Sequence, residues 1–239
     1  MYGASAVNIN GGTIGATNDP AGSVVDVNGG NANITIASSL TKTTSGGIVT
    51  VQGRTGGTVT FSGNLSANGR VFLVNPQGIY FSPTASLDVG GLVASTLNIR
   101  NDDFLAGRYV FSRDPGSPAT ASVINDGLIH ARDNGYVVLA GDYAANRGVV
   151  EARLGTVALA AGAKVTLDMQ GDSLINLAVN EKTVAALAGV ANSGALNAEG
   201  GRVMMTAAVA RDLAGTVVNN TGVIRANGTV EKDGAIYLI

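Results

Sequence analysis

Apolar and polar residues alternate in short runs along this chain, and glycine and asparagine interrupt the alternation at regular places. Four segments share one order: Asn, a variable residue, Gly, two apolar residues, a second variable residue and Ala. They begin at Asn125, Asn146, Asn192 and Asn220, carry glycines at Gly127, Gly148, Gly194 and Gly222, and close on Ala131, Ala152, Ala198 and Ala226. A fainter copy runs from Gly63 through Asn64, Leu65 and Ser66 to Ala67. Asn and Gly favour the bend, and the alternating residues after it fit an extended strand. The position before the Ala holds His130, Glu151, Asn197 or Arg225, so alternation turns that side chain outward and the Ala inward.

Each unit leads through a second Gly into a more continuous apolar run, at 69–74, 135–140, 155–160 and 201–206. The unit is therefore bend, strand, bend, strand, and a unit of that kind buries its apolar side only by stacking on a copy of itself. This predicts an all-β parallel solenoid, one continuous domain over residues 1–239 with about ten coils of roughly 20 to 25 residues. The four Asn positions lie 21, 46 and 28 residues apart. These spacings read as one coil, about two coils, and one coil with an insertion, the middle coil falling at 162–179 with Val165, Leu167, Leu174, Ile175 and Leu177. Pro115 and Pro118 cannot donate to a ladder, so 112–119 should bulge from the stack. The Ala- and Leu-containing stretches 180–188 and 206–213 are expected to form a short helical turn each. Residues 235–239 read as a further strand with no cap, which makes the chain the front of a longer solenoid.

Charge removes several functions. Charged residues make up 13% of the chain, the net charge is −2 and the signs are interspersed, so no electrostatic footprint for nucleic acid exists. No apolar run approaches a membrane-spanning helix, and Met1-Tyr2-Gly3-Ala4 lacks the order of a signal peptide, so any export signal lies outside this sequence. Without cysteine there is no disulfide framework.

Parallel solenoids also host enzymes that cleave polysaccharides with clustered carboxylates. The candidate pairs are Asp102 with Asp103, Asp126 with Asp133, Asp168 with Asp172, and Glu231 with Asp233. None recurs at a spacing that stacks three acids on one face, and Asp102 and Asp103 on a strand would point to opposite sides. His130, the single histidine, occupies an outward position and has no imidazole partner for a metal. The sequence thus predicts no catalytic residues, no cofactor and no metal site. Tyr80, Tyr109, Tyr136, Tyr143 and Tyr237 could serve direct adhesion, but they form no periodic stripe and read as packing residues.

The most distinctive segment is 69–81, in which two apolar strands flank Asn75-Pro76-Gln77-Gly78. Asn first, Pro second and Gly fourth match a type I turn. Together with 65–68, Ala85, the run 89–96, the stretch 103–111 and the later run 153–162, this segment resembles the secretion domain of two-partner secretion exoproteins, the filamentous-haemagglutinin and high-molecular-weight-adhesin family. The family's usual turn is Asn-Pro-Asn-Gly, so Gln77 departs from it while keeping the turn chemistry. Residues 61–239 look like the family, whereas 1–60 lack its Asn-Trp segment and read as divergent N-terminal coils or a cap. The resemblance implies a right-handed β-helix that heads a large secreted or surface adhesin of a Gram-negative bacterium. It further implies recognition in the periplasm by a dedicated outer-membrane β-barrel transporter, and folding outside the cell ahead of a downstream passenger on the same polypeptide. Asn75, Pro76, Gln77, Gly78 and Ile79 are the expected recognition residues. The alternative is a carbohydrate-binding or carbohydrate-cleaving β-helix, with host or matrix glycans as partners.

Overall fold

The computed structural model describes residues 7–10, 13–14, 25–28, 30–42, 49–52, 56–169, 175–210, 217–226, 229–232 and 235–238. These residues wind into a right-handed parallel β-helix of three faces. The first face stacks β1 (Val7–Ile9), β4 (Ile34–Ile36), β7 (Val59–Phe61), β9 (Ile79–Phe81), β13 (Ser122–Asn125), β16 (Tyr143–Asn146), β21 (Gly189–Asn192) and β24 (Val218–Asn220). The second stacks β2 (Thr13–Ile14), β5 (Ser39–Lys42), the first part of β8 (Asn64–Val74), the first part of β10 (Ser86–Ser95), β14 (Leu128–Ala131), β17 (Val149–Ala152), β22 (Ala195–Asn197) and β25 (Val223–Arg225). The third takes the second parts of β8 and β10, then β15 (Tyr136–Gly141), β18 (Thr156–Ala161) and β23 (Arg202–Ala207), and upstream β3 (Val25–Asn28) pairs parallel with β6 (Val49–Gln52). Among the described residues this makes eight coils rather than the ten the repeat length suggested.

The repeat maps onto the coil directly. On the second face Leu40, Leu65, Leu87, Ile129, Val150, Leu196 and Ile224 stand in register, one per coil, and all but Ile224 are buried. The constant Ala131, Ala152 and Ala198 are fully buried beside them, while His130 and Glu151 reach the surface. Glycine follows from the rise of one coil onto the next. A Cβ on Gly148, Gly194 or Gly222 would collide with the backbone carbonyl of the preceding coil's glycine, and Gly155 and Gly201 form a second such column. Neighbouring strands of a sheet lie only about 4.8 Å apart, so a sharp corner has no room for a side chain.

The third face differs from the other two. In β15 and β18 every residue is buried, on both sides of the sheet. The cover is a four-stranded antiparallel sheet of β11 (Asn98–Ile99), β12 (Tyr109–Ser112), β19 (Lys164–Asp168) and β20 (Asn176–Glu181). It closes a second core of Val93, Leu97, Phe111, Val138, Val165 and Leu167 outside the helix. Burial on both faces explains why these strands read as unbroken apolar runs instead of alternating ones.

Four expectations are corrected. Residues 162–179 are not a coil: β19 runs antiparallel to β12, and Asn146 pairs in register with Asn192, so the 46-residue spacing is one coil with a long excursion. The stretch 180–188 is extended and bent, with an isolated bridge from Thr183 to Val209 and no helical turn; residues 211–213 lie outside the described residues, as do Leu174 and Asp172. Among the described residues a helix forms instead at α1 (Asn101–Leu105), which holds Asp102 and Asp103 in its first turn rather than on a strand. The expected strand at 235–239 appears as β27 (Ala235–Leu238), paired antiparallel with β26 (Thr229–Lys232) instead of joining a coil.

Candidate functional site

The expected recognition segment forms the corner between the third face of one coil and the first face of the next. β8 ends at Val74, the Asn75 amide donates to Ser95 O at 3.0 Å, and the Gly78 amide donates back to Asn75 O at 3.1 Å, which closes the turn before β9. Gly78 takes φ +124°, a conformation side chains rarely adopt. The Asn75 carboxamide turns inward, and its Nδ2 donates to Gly78 O at 2.7 Å and to Gly57 O at 3.1 Å. Its Oδ1 has no partner although the residue is 1% exposed, and the void beneath it, between Phe61, Leu73 and Ile79, has no room for a water molecule. Pro76, Gly78 and Ile79 are buried and Gln77 is half-buried. The five residues lie together, but as part of the wall.

The repeat asparagines do a different job. In each, the side chain caps its own bend: Asn125 Nδ2 donates to Gly127 O and Oδ1 accepts from the Gly127 amide. The same Nδ2 donates to the next coil's carboxamide, Asn125 to Asn146 at 2.8 Å, Asn146 to Asn192 at 2.8 Å and Asn192 to Asn220 at 2.7 Å. This ladder continues a column that upstream holds Ile36, Phe61 and Phe81, the two rings stacked at 5.5 Å between centroids.

Two clusters escaped the sequence reading. Asp126 accepts Arg147 Nε at 2.6 Å and Tyr80 Oη at 2.8 Å, tying three coils together. The hydrogen bond to Asp126 raises the pKa of Tyr80, and likewise that of Arg147. Asp126 and Arg147 fill the same variable position of successive repeats, so aligning the copies would have placed the pair. The second is buried: Asp142, 1% exposed, accepts Arg113 Nε at 2.7 Å and bonds the Thr183 hydroxyl, while Arg113 Nη2 donates to Ser117 O at 2.8 Å. It fastens both excursions from the helix onto one corner, across sequence distances no local pattern reveals.

The candidate acids do not assemble. Asp126 is held by Arg147 and Asp133 by Arg153, at different corners, and Asp103 pairs with Arg108. Glu231 and Asp233 lie where no side chain is described. His130 Nδ1 faces Asp88 at 3.1 Å, and among the described residues no three His, Asp or Glu side chains converge on a metal position. Of the tyrosines, Tyr136 is buried under the outer sheet, which pushes its pKa up, while Tyr80, Tyr109 and Tyr143 are half-buried and the Tyr237 side chain is outside the description.

Comparison with known proteins accounts for this arrangement. The family model of the TPS secretion domain matches residues 55–239. A Heme/hemopexin-binding protein of Haemophilus influenzae (strain ATCC 51907 / DSM 11121 / KW20 / Rd) is 32% identical over 151 residues, 60% of this chain and 16% of that protein. Another Heme/hemopexin-binding protein of Haemophilus influenzae is 30% identical over 199 residues, 74% of this chain and 20% of that protein. The chain therefore spans about a fifth or less of the length of these relatives. The crystal structure of the HMW1 secretion domain from Haemophilus influenzae superposes with a TM-score of 0.60 at 26% identity, covering 84% of this chain and 50% of that one. The chain belongs to the TPS secretion domain family, and so to the exoproteins that Gram-negative bacteria export through the periplasm.

Proposed function

We propose that this domain is recognised, before it folds, by the periplasmic domains of a cognate outer-membrane β-barrel transporter, and that the extended segment 71–81 carries the signal. The supporting observation is the burial of Asn75, Pro76, Gly78 and Ile79 in the finished helix, where no partner can read them. Parallel pairing between coils joins residues far apart in sequence and is slow, so the chain stays extended long enough to be captured. Strand addition suits such a segment, with backbone bonds supplying affinity and alternate side chains supplying choice. Folding on the far side of the membrane then withdraws the signal and offers an edge to later coils. Residues 1–239 act as one unit, with 1–60 as its first coils; the domain itself performs no catalysis, and the adhesin-like activity resides in the passenger.

The test is capture by immobilised transporter periplasmic domains of the chain diluted from denaturant, beside the same chain allowed to fold first. Capture of the unfolded chain alone, together with transporter-dependent release into the medium, is the expected result. Equal capture of both forms overturns recognition before folding, and release that ignores the transporter overturns the secretion reading.

A further inference from the structure

A groove of about 320 Å³ crosses the outer surface of the second face over β14, β17, β22 and β25. Its floor is the outward row of the repeat, His130, Glu151, Asn197 and Arg225, held side by side by the strand register. Arg153 and Glu199, from the following corner of two consecutive coils, form one rim. We propose that this groove binds an uncharged saccharide.

An anion would meet the carboxylates of Asp133, Glu151 and Glu199, and a cation would meet two guanidiniums, so an ionic ligand gains little from a field that nearly cancels. No phenyl, phenol, indole or aliphatic side chain lines the groove, which gives an apolar ligand little to bury against. Along the row Glu151 accepts, Asn197 does both and Arg225 donates, a mixture that a ring bearing several hydroxyls can satisfy in both directions. The polar capacity is also only partly used. Asn197 Nδ2 reaches Glu151 Oε1 at 3.4 Å and Arg225 Nη1 reaches Asn197 Oδ1 at 3.5 Å, both near the limit of a hydrogen bond, and the Glu199 carboxylate has no partner among the described residues. Four rungs span three strand spacings, about 14 Å, which fits a short linear oligosaccharide laid along the helix axis. With no larger ring than the His130 imidazole to stack on, Kd should be on the order of 1 mM.

This site exists only in the folded helix and shares no residue with 71–81, so its failure would leave the secretion reading untouched. The experiment titrates the isotope-labelled folded domain with maltotriose, cellotriose and laminaritriose, and separately with a sulfated heparin disaccharide. The expected result is a saturable shift of the Asn197 side-chain amide and the Arg153 and Arg225 Nε resonances with a neutral sugar. Glu199→Ala, which should fold normally from its exposed position, weakens that binding about tenfold. No saturable shift with any neutral sugar up to its solubility limit overturns the proposal, and so does stronger binding of the sulfated disaccharide, which would make the groove an anion site.

Discussion

Asn75 and Asn146 are the same residue type at equal depth, yet the structure assigns them opposite consequences on replacement by alanine. Asn75→Ala removes two hydrogen bonds, worth about 1 kcal/mol each, but it also removes a buried Oδ1 with no partner, which costs the fold about 1–3 kcal/mol. Gly78 O keeps the Val59 amide, so the loss leaves that carbonyl satisfied. The net change should stay within about 1 kcal/mol. Asn146→Ala breaks bonds to Gly148 O, Ala195 O and Asn192 Oδ1, and deprives Asn125 Nδ2 of one of its two acceptors. Asn192, which is 1% exposed, is left with a buried Oδ1 that has lost its donor, so the cost should reach about 3–5 kcal/mol. Urea unfolding of both variants measures the difference, and capture of the unfolded chains by the transporter's periplasmic domains measures recognition. Asn75→Ala should keep stability and lose capture; Asn146→Ala should do the reverse. The reasoning fails if Asn75→Ala proves as destabilising as Asn146→Ala while capture survives.

Other outcomes follow from single contacts. Gly155→Ala drives a Cβ into the Gly135 carbonyl of the preceding coil, where backbone cannot yield, and should cost about 3 kcal/mol in urea unfolding. Asp142→Ala leaves the Arg113 guanidinium half-buried without its carboxylate, at about 3 kcal/mol; hydrogen exchange should quicken at Ala185 and Gly189 while β14 stays protected. Burial raises the Tyr136 pKa, so the folded state holds that proton more tightly than the unfolded chain. Its contribution is complete below about pH 10 and falls as pH rises beyond it, by up to about 1.4 kcal/mol per unit, and Tyr136→Phe should flatten that alkaline decline in unfolding free energy.

The coil was legible because its constraints are local. A corner without room demands glycine, and an inward position on a narrow interior selects Ala131 and Ala152, so both leave a periodic trace. Pro115 and Pro118 did mark the excursion at 112–119, but the longer one was not legible, for the opposite reason. The stretch 162–188 happens to be as long as a coil and as apolar as one, and only its pairing with Tyr109–Ser112 reveals that it leaves the helix. The continuous apolar runs of β15 and β18 did carry the signal of an outer cover, since a face open to water would have kept polar residues at alternate positions. At the corner before β9, turn chemistry located Asn75 and Gly78, but the orphaned Oδ1 depends on how the coils meet and has no sequence signature.

Pairing of β12 with β19 has a mechanical consequence. A plain solenoid drawn out from one end gives up its coils singly, each rupture being small. Here the outer sheet rivets a strand that precedes β13 to one that follows β18, bracketing the coils between them. Traction on either terminus should unravel the flanking coils in small steps and then stall at this bracketed block, which must part all at once. Shear at a cell surface would therefore spend itself on the outer turns and leave the middle of the domain standing.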